Sequence, residues 1–178
     1  MRITTGIAKN KRLKVPNLDT VKPTKEVVRD AIFNIIGAQI KEFNVGDFFA
    51  GSGSLGLEAL SRGAKHVDFV ELDPIAAKYI QTNLNNLGFE NQGEVFEMDA
   101  EEFGDVMRPA TFHLIIADPP YDYENWDILI SLAQQLLIST GILILEHKEQ
   151  LEHKSKKGMK IVKTRKYGAT RVTVFQKA

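Results

Sequence analysis

The chain contains no cysteine among its 178 residues, which excludes disulfides, thiolate metal sites and a cysteine nucleophile. It has no apolar run approaching the ~20 residues that a membrane span needs. Its opening stretch, MRITTGIAKNKRLKVP, lacks the apolar core of a secretory signal. A cytoplasmic protein with no membrane partner is therefore expected. Histidine is scarce, and His66, His113, His147 and His153 form no i, i+4 pair of metal-ligating spacing. They read as solvated or loosely packed side chains, and no metal is expected. Repeats and low-complexity tracts are also missing, and the length fits one domain with at most a small appendage.

A net charge is missing too, but the zero sum hides a division. Residues 1–30 hold eight Lys/Arg against three Asp/Glu, and residues 148–178 hold ten against two, so the middle is strongly acidic. Charge divided this way suggests two basic ends that can face a polyanion around an acidic catalytic core.

What is present begins with a short apolar/polar alternation (Ile3, Ile7; Leu13, Val15) broken by Gly6 and Pro16, which predicts a hairpin or extended arm over residues 1–22. Pro23-Thr24 then opens a helical pattern through Val27, Val28, Ala31, Ile32, Ile35 and Ile36, predicting a helix over 24–39. From Val45 short apolar runs alternate with helical segments. Strands are predicted at 45–50, 66–71, 94–97, 112–117 and 141–146, and helices at 54–62, 74–87, 100–108 and 125–138. MKIVKTRKYG and ATRVTVFQ read as a closing antiparallel pair joined at Gly168. This rhythm predicts a Rossmann-like α/β domain over 23–178, a mostly parallel sheet with helices on both faces and ligands held beyond the carboxyl ends of its strands.

The stretch DFFAGSGSLG contains G-x-G-x-x-G at Gly51, Gly53 and Gly56. Glycines after a first strand let a backbone approach a ligand and open a helix whose amides face it. A pyrophosphate would welcome those amides, but Asp47 just ahead of them would repel it. S-adenosylmethionine, with a carboxylate, an ammonium and a sulfonium, suits both features. Glu71 after the second strand can chelate a ribose diol in either ligand. Asp99 after the third can read an adenine amine or simply cap the helix that starts at Ala100, since Glu102 stands at capping-box spacing.

DPPY, Asp118 to Tyr121, follows the fourth strand. An exocyclic base amine is a poor nucleophile because its lone pair is delocalised into the ring, so methylating it needs acceptors that hold its N–H bonds and aim the lone pair. Asp118 offers a carboxylate and Pro119 a carbonyl, on a backbone stiffened by Pro119 and Pro120. Tyr121 offers a face on which an extruded base can stack. Asp47, Gly51, Glu71, Asp99 and Asp118 all fall at strand ends and so converge on one rim.

These motifs, together with RITTGIAKNKRLKVP, KPTKEVVRDAIFNII, LGLEALSRGA and the YGATRVTVF ending, resemble the RsmD family of bacterial guanine-N2 methyltransferases of small-subunit ribosomal RNA. The resemblance implies a class I methyltransferase fold. Asp47, Ala50, Gly51, Ser52, Gly53, Glu71, Leu72, Asp99 and Ala100 would line S-adenosylmethionine, and Asp118, Pro119, Pro120 and Tyr121 the target base. It also implies ribosomal RNA or a small-subunit assembly particle as partner, gripped by Arg2, Lys9, Lys11, Arg12 and Lys14. Nothing calls for more than a monomer. The chain departs from the family at Lys22, where arginine is usual and a bidentate contact becomes single-point, and at Gly46, where leucine is usual and looser strand packing is expected. Three other readings stay open: an amino-methyltransferase acting on adenine N6 or a protein amide, a nicotinamide oxidoreductase, and a non-catalytic RNA-binding assembly factor. The absence of a sizeable target-recognition domain weighs against sequence-specific DNA as substrate.

Overall fold

The structure, a computed structural model, describes residues 1–16 and 26–178. Lys22, Pro23 and Thr24, and with them the boundary expected near residue 22, lie outside the described residues. In chain order the elements are α1 (Glu26–Ile36), a 3-10 turn (Gly37–Ile40), β1 (Asn44–Phe48), α2 (Ser54–Ser61), β2 (His66–Val70), α3 (Pro74–Leu87), β3 (Gly93–Phe96), α4 (Ala100–Val106), β4 (Phe112–Ala117), α5 (Trp126–Leu136), β5 (Leu137–Lys148), β6 (Met159–Tyr167) and β7 (Thr170–Lys177). They build one seven-stranded sheet in the order β3-β2-β1-β4-β5-β7-β6. β1 to β5 run parallel, and β7 enters antiparallel between β5 and the edge strand β6. The chain starts at β1, winds outward to β3, then crosses back to lay β4 on the other side of β1. The crevice between the carboxyl ends of β1 and β4 is the switch point at which such sheets bind ligands.

Both faces of the sheet are covered, so its central strands are apolar on both sides. Alternation along β4 sends Leu114 and Ile116 into the layer shared with α1, α2 and α3, and Ile115 and Ala117 into the layer shared with α4 and α5. Where helix ends carry their own stop and start chemistry, the predicted bounds hold. The side chain of Asp73 accepts from the amides of Ile75 and Ala76, Pro74 takes the first turn, and Gly88 closes α3 in the left-handed region at φ 75°. β5 is longer than predicted: it starts directly from the end of α5 at Leu137, and its register against β4 shifts between Phe112 and Leu114. Among the described residues no helix is long and apolar enough to cross a membrane.

Gly46 does not loosen the packing of β1. A side chain there would meet the Phe48 ring at 2.9 Å and Ile115 at 3.5 Å. The space is already filled by Phe48, which stacks edge-on against Phe103 and Phe112.

The first sixteen residues form a hairpin-like loop, closed by Ile3 N–H to Lys11 O, Asn10 N–H to Ile3 O and Leu13 N–H to Met1 O, with a single antiparallel bridge between Arg2 and Arg12. The loop does not extend into solvent. Ile3, Ala8 and Leu13 are buried in the core layer of α1, α2 and α3. Ile7 N–H bonds to Ser61 O, Ala8 N–H to Ser61 Oγ, and Lys14 exchanges two hydrogen bonds with the Asn83 side chain. Glu58, fully buried on α2, is the hub: it accepts from Thr4 N–H and Oγ1–H, from Thr5 N–H and from Arg62 Nε.

Candidate active site

β1 ends one residue after Asp47, and the chain turns sharply to open α2. Phe49 takes φ 58°, a left-handed value that strains a residue with a Cβ. The glycines divide their work. Gly53, at φ 71°, caps α2 in a conformation open to glycine at little cost. Gly56 lets α2 lie against β2, since a Cβ there would come within 2.2 Å of the Phe69 ring. Asp47 itself is 1% exposed, and its Oδ2 accepts the Gly56 N–H at 2.8 Å. It lies under the glycine turn and shapes it from below.

Ala50, also buried, ties the turn to β2 through its N–H to Val70 O. Gly51 donates its N–H to Glu71 Oε2 at 2.6 Å, and Glu71 Oε1 accepts the Asp73 N–H at 2.8 Å. The carboxylate after β2 is thereby fixed against the glycine turn, with lone pairs left on both oxygens. Ser52 is buried at the same turn, with its Oγ 3.9 Å from Met1 Sδ. Next to Glu71, Leu72 stands 66% exposed, an apolar side chain open to solvent. Asp99 caps α4 through Oδ1 to Glu102 N–H, and Ala100 is buried behind it. Capping occupies Oδ1, so Asp99 can cap the helix and still offer Oδ2.

The fourth strand brings DPPY to the same crevice. Asp118 N–H bonds to Phe48 O at 3.4 Å, directly across from the start of the glycine turn, and Pro120 O accepts the Tyr123 N–H, which leaves the turn tightly closed. Tyr121 is 52% exposed, and Lys148 Nζ sits 5.6 Å from its ring centroid. Burial pushes the Asp47 carboxyl up to about 8 against the lowering pull of the Gly56 amide, and the charges of Asp118 and Glu71 push in the same direction. Burial, with Glu101 and Asp99 nearby, likewise pushes the Tyr123 hydroxyl up to about 12. Carboxylates from all four strand ends are thus within electrostatic reach of one another or of the DPPY loop.

Several lining residues have no counterpart in the sequence reading. Phe49 packs edge-on against Tyr123, and Tyr123 against Trp126, so the strained turn and the DPPY loop share an aromatic wall. A cleft of about 250 Å³ beside Asp118 is lined further by Glu146, His147 and Lys148, at the end of β5. The rule that strand-end residues converge on the rim applies equally to the fifth strand and would have found Glu146. The reading of the histidines as solvated or loosely packed is corrected for His147. His147 is 4% exposed and held by Lys148 O and Thr173 Oγ1, and its ring lies 4.6 Å from that of His153. Burial pulls His153 down to about 4, helped by its neighbour His147. His113 stacks on Phe43 and His66 bonds to Asp68. Of the basic residues at the N-terminus, Arg2, Lys9, Lys11, Arg12 and Lys14 are all solvent-exposed on the docked loop.

An acidic crevice at the switch point of this sheet, with an antiparallel β7 inserted beside β5, defines a class I S-adenosylmethionine-dependent methyltransferase fold. The chain belongs to the RsmD family: the family model described as Conserved hypothetical protein 95 matches residues 1–176. It is 36% identical over 183 residues to the candidate rRNA methyltransferase YlbH of Bacillus subtilis, covering 99% of both chains. It is also 36% identical over 136 residues to ribosomal RNA small subunit methyltransferase D of Haemophilus influenzae, covering 74% of this chain and 69% of that one. The solved structure of the candidate methyltransferase yhhF of Escherichia coli superposes with a TM-score of 0.87 at 25% identity, over 99% of this chain and 97% of that one. An RNA methyltransferase of Salinibacter ruber, solved with S-adenosyl-L-homocysteine, shares the fold at 14% identity and a TM-score of 0.67, over 87% of this chain and 93% of that one.

Proposed function

We propose that this protein transfers a methyl group from S-adenosylmethionine to the exocyclic N2 amine of a guanine in small-subunit ribosomal RNA. The observation that carries the reading is the join between the two halves of the site, Asp118 bonded through its amide to Phe48 and electrostatically coupled to Asp47 under the glycine turn. The names of the relatives supply the class of RNA.

The residues fit this cofactor better than a dinucleotide. Acidic groups at the turn favour an ammonium and a sulfonium over a pyrophosphate, Glu71 faces a ribose diol, Leu72 an adenine face and Asp99 an adenine amine. When bound, S-adenosylmethionine supplies an electrophilic methyl and departs as S-adenosylhomocysteine, keeping the electron pair of the broken C–S bond. Asp118 and the Pro119 carbonyl hold the two amine hydrogens, so that the nitrogen lone pair points at the methyl and forms the new N–C bond. The proton that leaves the amine passes to Asp118 or to water. Asp118 need not be a strong base, because the methylated cation is very acidic; its main contribution is to stabilise the positive charge growing on nitrogen. Tyr121 gives the extruded base a stacking face. The exposed cations of the N-terminal loop supply phosphate contacts.

The test is nucleoside mass spectrometry of small-subunit ribosomal RNA from cells with and without the protein, repeated after the purified protein and cofactor are added to particles lacking the mark. N2-methylguanosine that is missing without the protein and restored by it is the expected result. Restoration of N6-methyladenosine would favour the adenine reading, and restoration of nothing would favour a non-catalytic assembly factor.

Cofactor affinity should depend on Asp47. A carboxyl whose pKa rises from 3.8 to about 8 on folding holds a proton through that window which the unfolded chain has released. Its contribution to stability is therefore favourable at low pH and declines as pH climbs from 4 to 8. A bound cation favours the ionised form, so binding expels the proton, and affinity should rise with pH by up to about tenfold per unit below 8. Titration calorimetry from pH 6 to 9 checks this. Asp47→Asn, measured in the same buffers, should flatten the profile and stabilise the protein at high pH, whereas an unchanged profile would remove Asp47 from the cofactor's field.

A further inference from the structure

The sheet sets a second carboxylate beside Asp118. β4 and β5 are parallel neighbours in which Ala117 pairs with Leu145. The next residues along the chain are Asp118, just past the end of β4, and Glu146 within β5, which at the spacing of adjacent strands sets their Cα atoms about 5 Å apart if the register continues. Both residues line the same cleft. Two carboxylates side by side at the mouth of a cleft match a ligand edge that presents donors in succession.

We propose that Glu146 accepts the N1–H of the target base and selects guanine over adenine. The inference rests on the guanine-N2 reading above and adds the residue that makes it selective. Along its Watson–Crick edge guanine carries the N2 amine and then the N1–H, two donors in a row. Adenine carries the N6 amine and then a bare N1 lone pair. With the reactive amine held by Asp118 and the Pro119 carbonyl, the adjoining ring nitrogen falls on the β5 side, against Glu146. Guanine then gains a charge-assisted hydrogen bond. Adenine sets a lone pair against a carboxylate, a mismatch of the kind that lets a hydrogen-bonding site reject an analogue by orders of magnitude. The DPPY loop alone cannot discriminate, because it grips only an amine, which both bases possess.

The test uses RNA segments spanning the position located by mass spectrometry, made with guanine, 2-aminopurine or adenine at that position, with labelled S-adenosylmethionine as donor. 2-Aminopurine keeps the 2-amino group but has an unprotonated N1. The wild-type protein should prefer guanine over 2-aminopurine by about 100-fold or more. Glu146→Gln should lose about 100-fold on guanine and bring the two bases within about tenfold of each other, since the glutamine amide can donate to a bare N1. The ratio does not depend on how much protein is folded, and retained cofactor binding shows that the site survives. A wild-type protein indifferent to N1, or a Glu146→Gln variant with the wild-type ratio, overturns the role of Glu146 while guanine methylation stands. A wild-type protein that methylates only the adenine segment overturns the guanine reading itself, and this inference with it.

Discussion

Replacing Asp118 with alanine is expected to lower methyl transfer by about 10³-fold while cofactor affinity stays within about threefold of wild type. The asymmetry follows from where the side chain stands. Asp118 follows β4 and lines the cleft beside β5, whereas the residues proposed for the cofactor lie in or after β1, β2 and β3. Loss of the carboxylate removes one acceptor for the amine and the nearby negative charge that offsets the cation formed as the N–C bond grows. Asp118→Asn separates the two contributions. Its carbonyl still accepts an N–H bond but carries no charge, so a loss of about 10- to 100-fold is expected, smaller than that of alanine. Both substitutions also remove a charge that helps raise the Asp47 pKa, so the pH profile of cofactor binding should shift downward with them. Single-turnover rates and cofactor titrations check the prediction. Methyl transfer at the wild-type rate in Asp118→Ala would take this residue out of the chemistry.

The parts of the molecule legible in the sequence are those written in local chemistry. α3 could be bounded to the residue because Asp73, Pro74 and Gly88 each act within a turn of their own position. The expectation of a shared rim had a related source: the carboxyl ends of parallel strands lie at one edge of the sheet, and Asp47, Glu71, Asp99 and Asp118 stand at or just past the ends of β1, β2, β3 and β4. What escaped depends on contacts between distant residues. The aromatic wall requires Phe49 to accept a left-handed backbone, and nothing in the letters FFAG announces it. His147 looked unremarkable because β5 runs on past the predicted 146 to Lys148, and His153 because its ring packs on Trp126, His147 and Phe175, far from it in sequence or on another element. The docking of the N-terminal stretch was not legible, since the groups that hold it lie more than fifty residues along the chain.

Glu58 is the residue whose loss should cost most stability. It is fully buried, and Arg29, 1% exposed, faces it at 3.8 Å, close enough for an ion pair though not for a hydrogen bond. Arg29 Nη2 donates to Arg2 O, while its Nε and Nη1 have no hydrogen-bond partner among the described residues. Removing Glu58 therefore strands a buried guanidinium and releases the Thr4 and Thr5 amides and Arg62 at once. Breaking a buried pair from one side costs about 3–5 kcal/mol, which in a protein of this size lowers the melting temperature by about 10 °C. The damage should be directional. The N-terminal loop loses its tether on α2, so its amides should exchange hydrogen faster and trypsin should cut at Lys9 and Lys11 before the rest of the fold opens. Because that loop carries Arg2, Lys9, Lys11, Arg12 and Lys14, RNA binding should weaken more than cofactor binding, which depends on the opposite end of α2. A Glu58→Leu, Arg29→Met double variant should recover much of the thermal stability by removing the stranded charge along with its partner. It should not restore the tether to Thr4 and Thr5. A stable double variant with fast exchange at residues 3–8 would show that the buried acid specifies where the basic loop docks as well as how tightly the core is held.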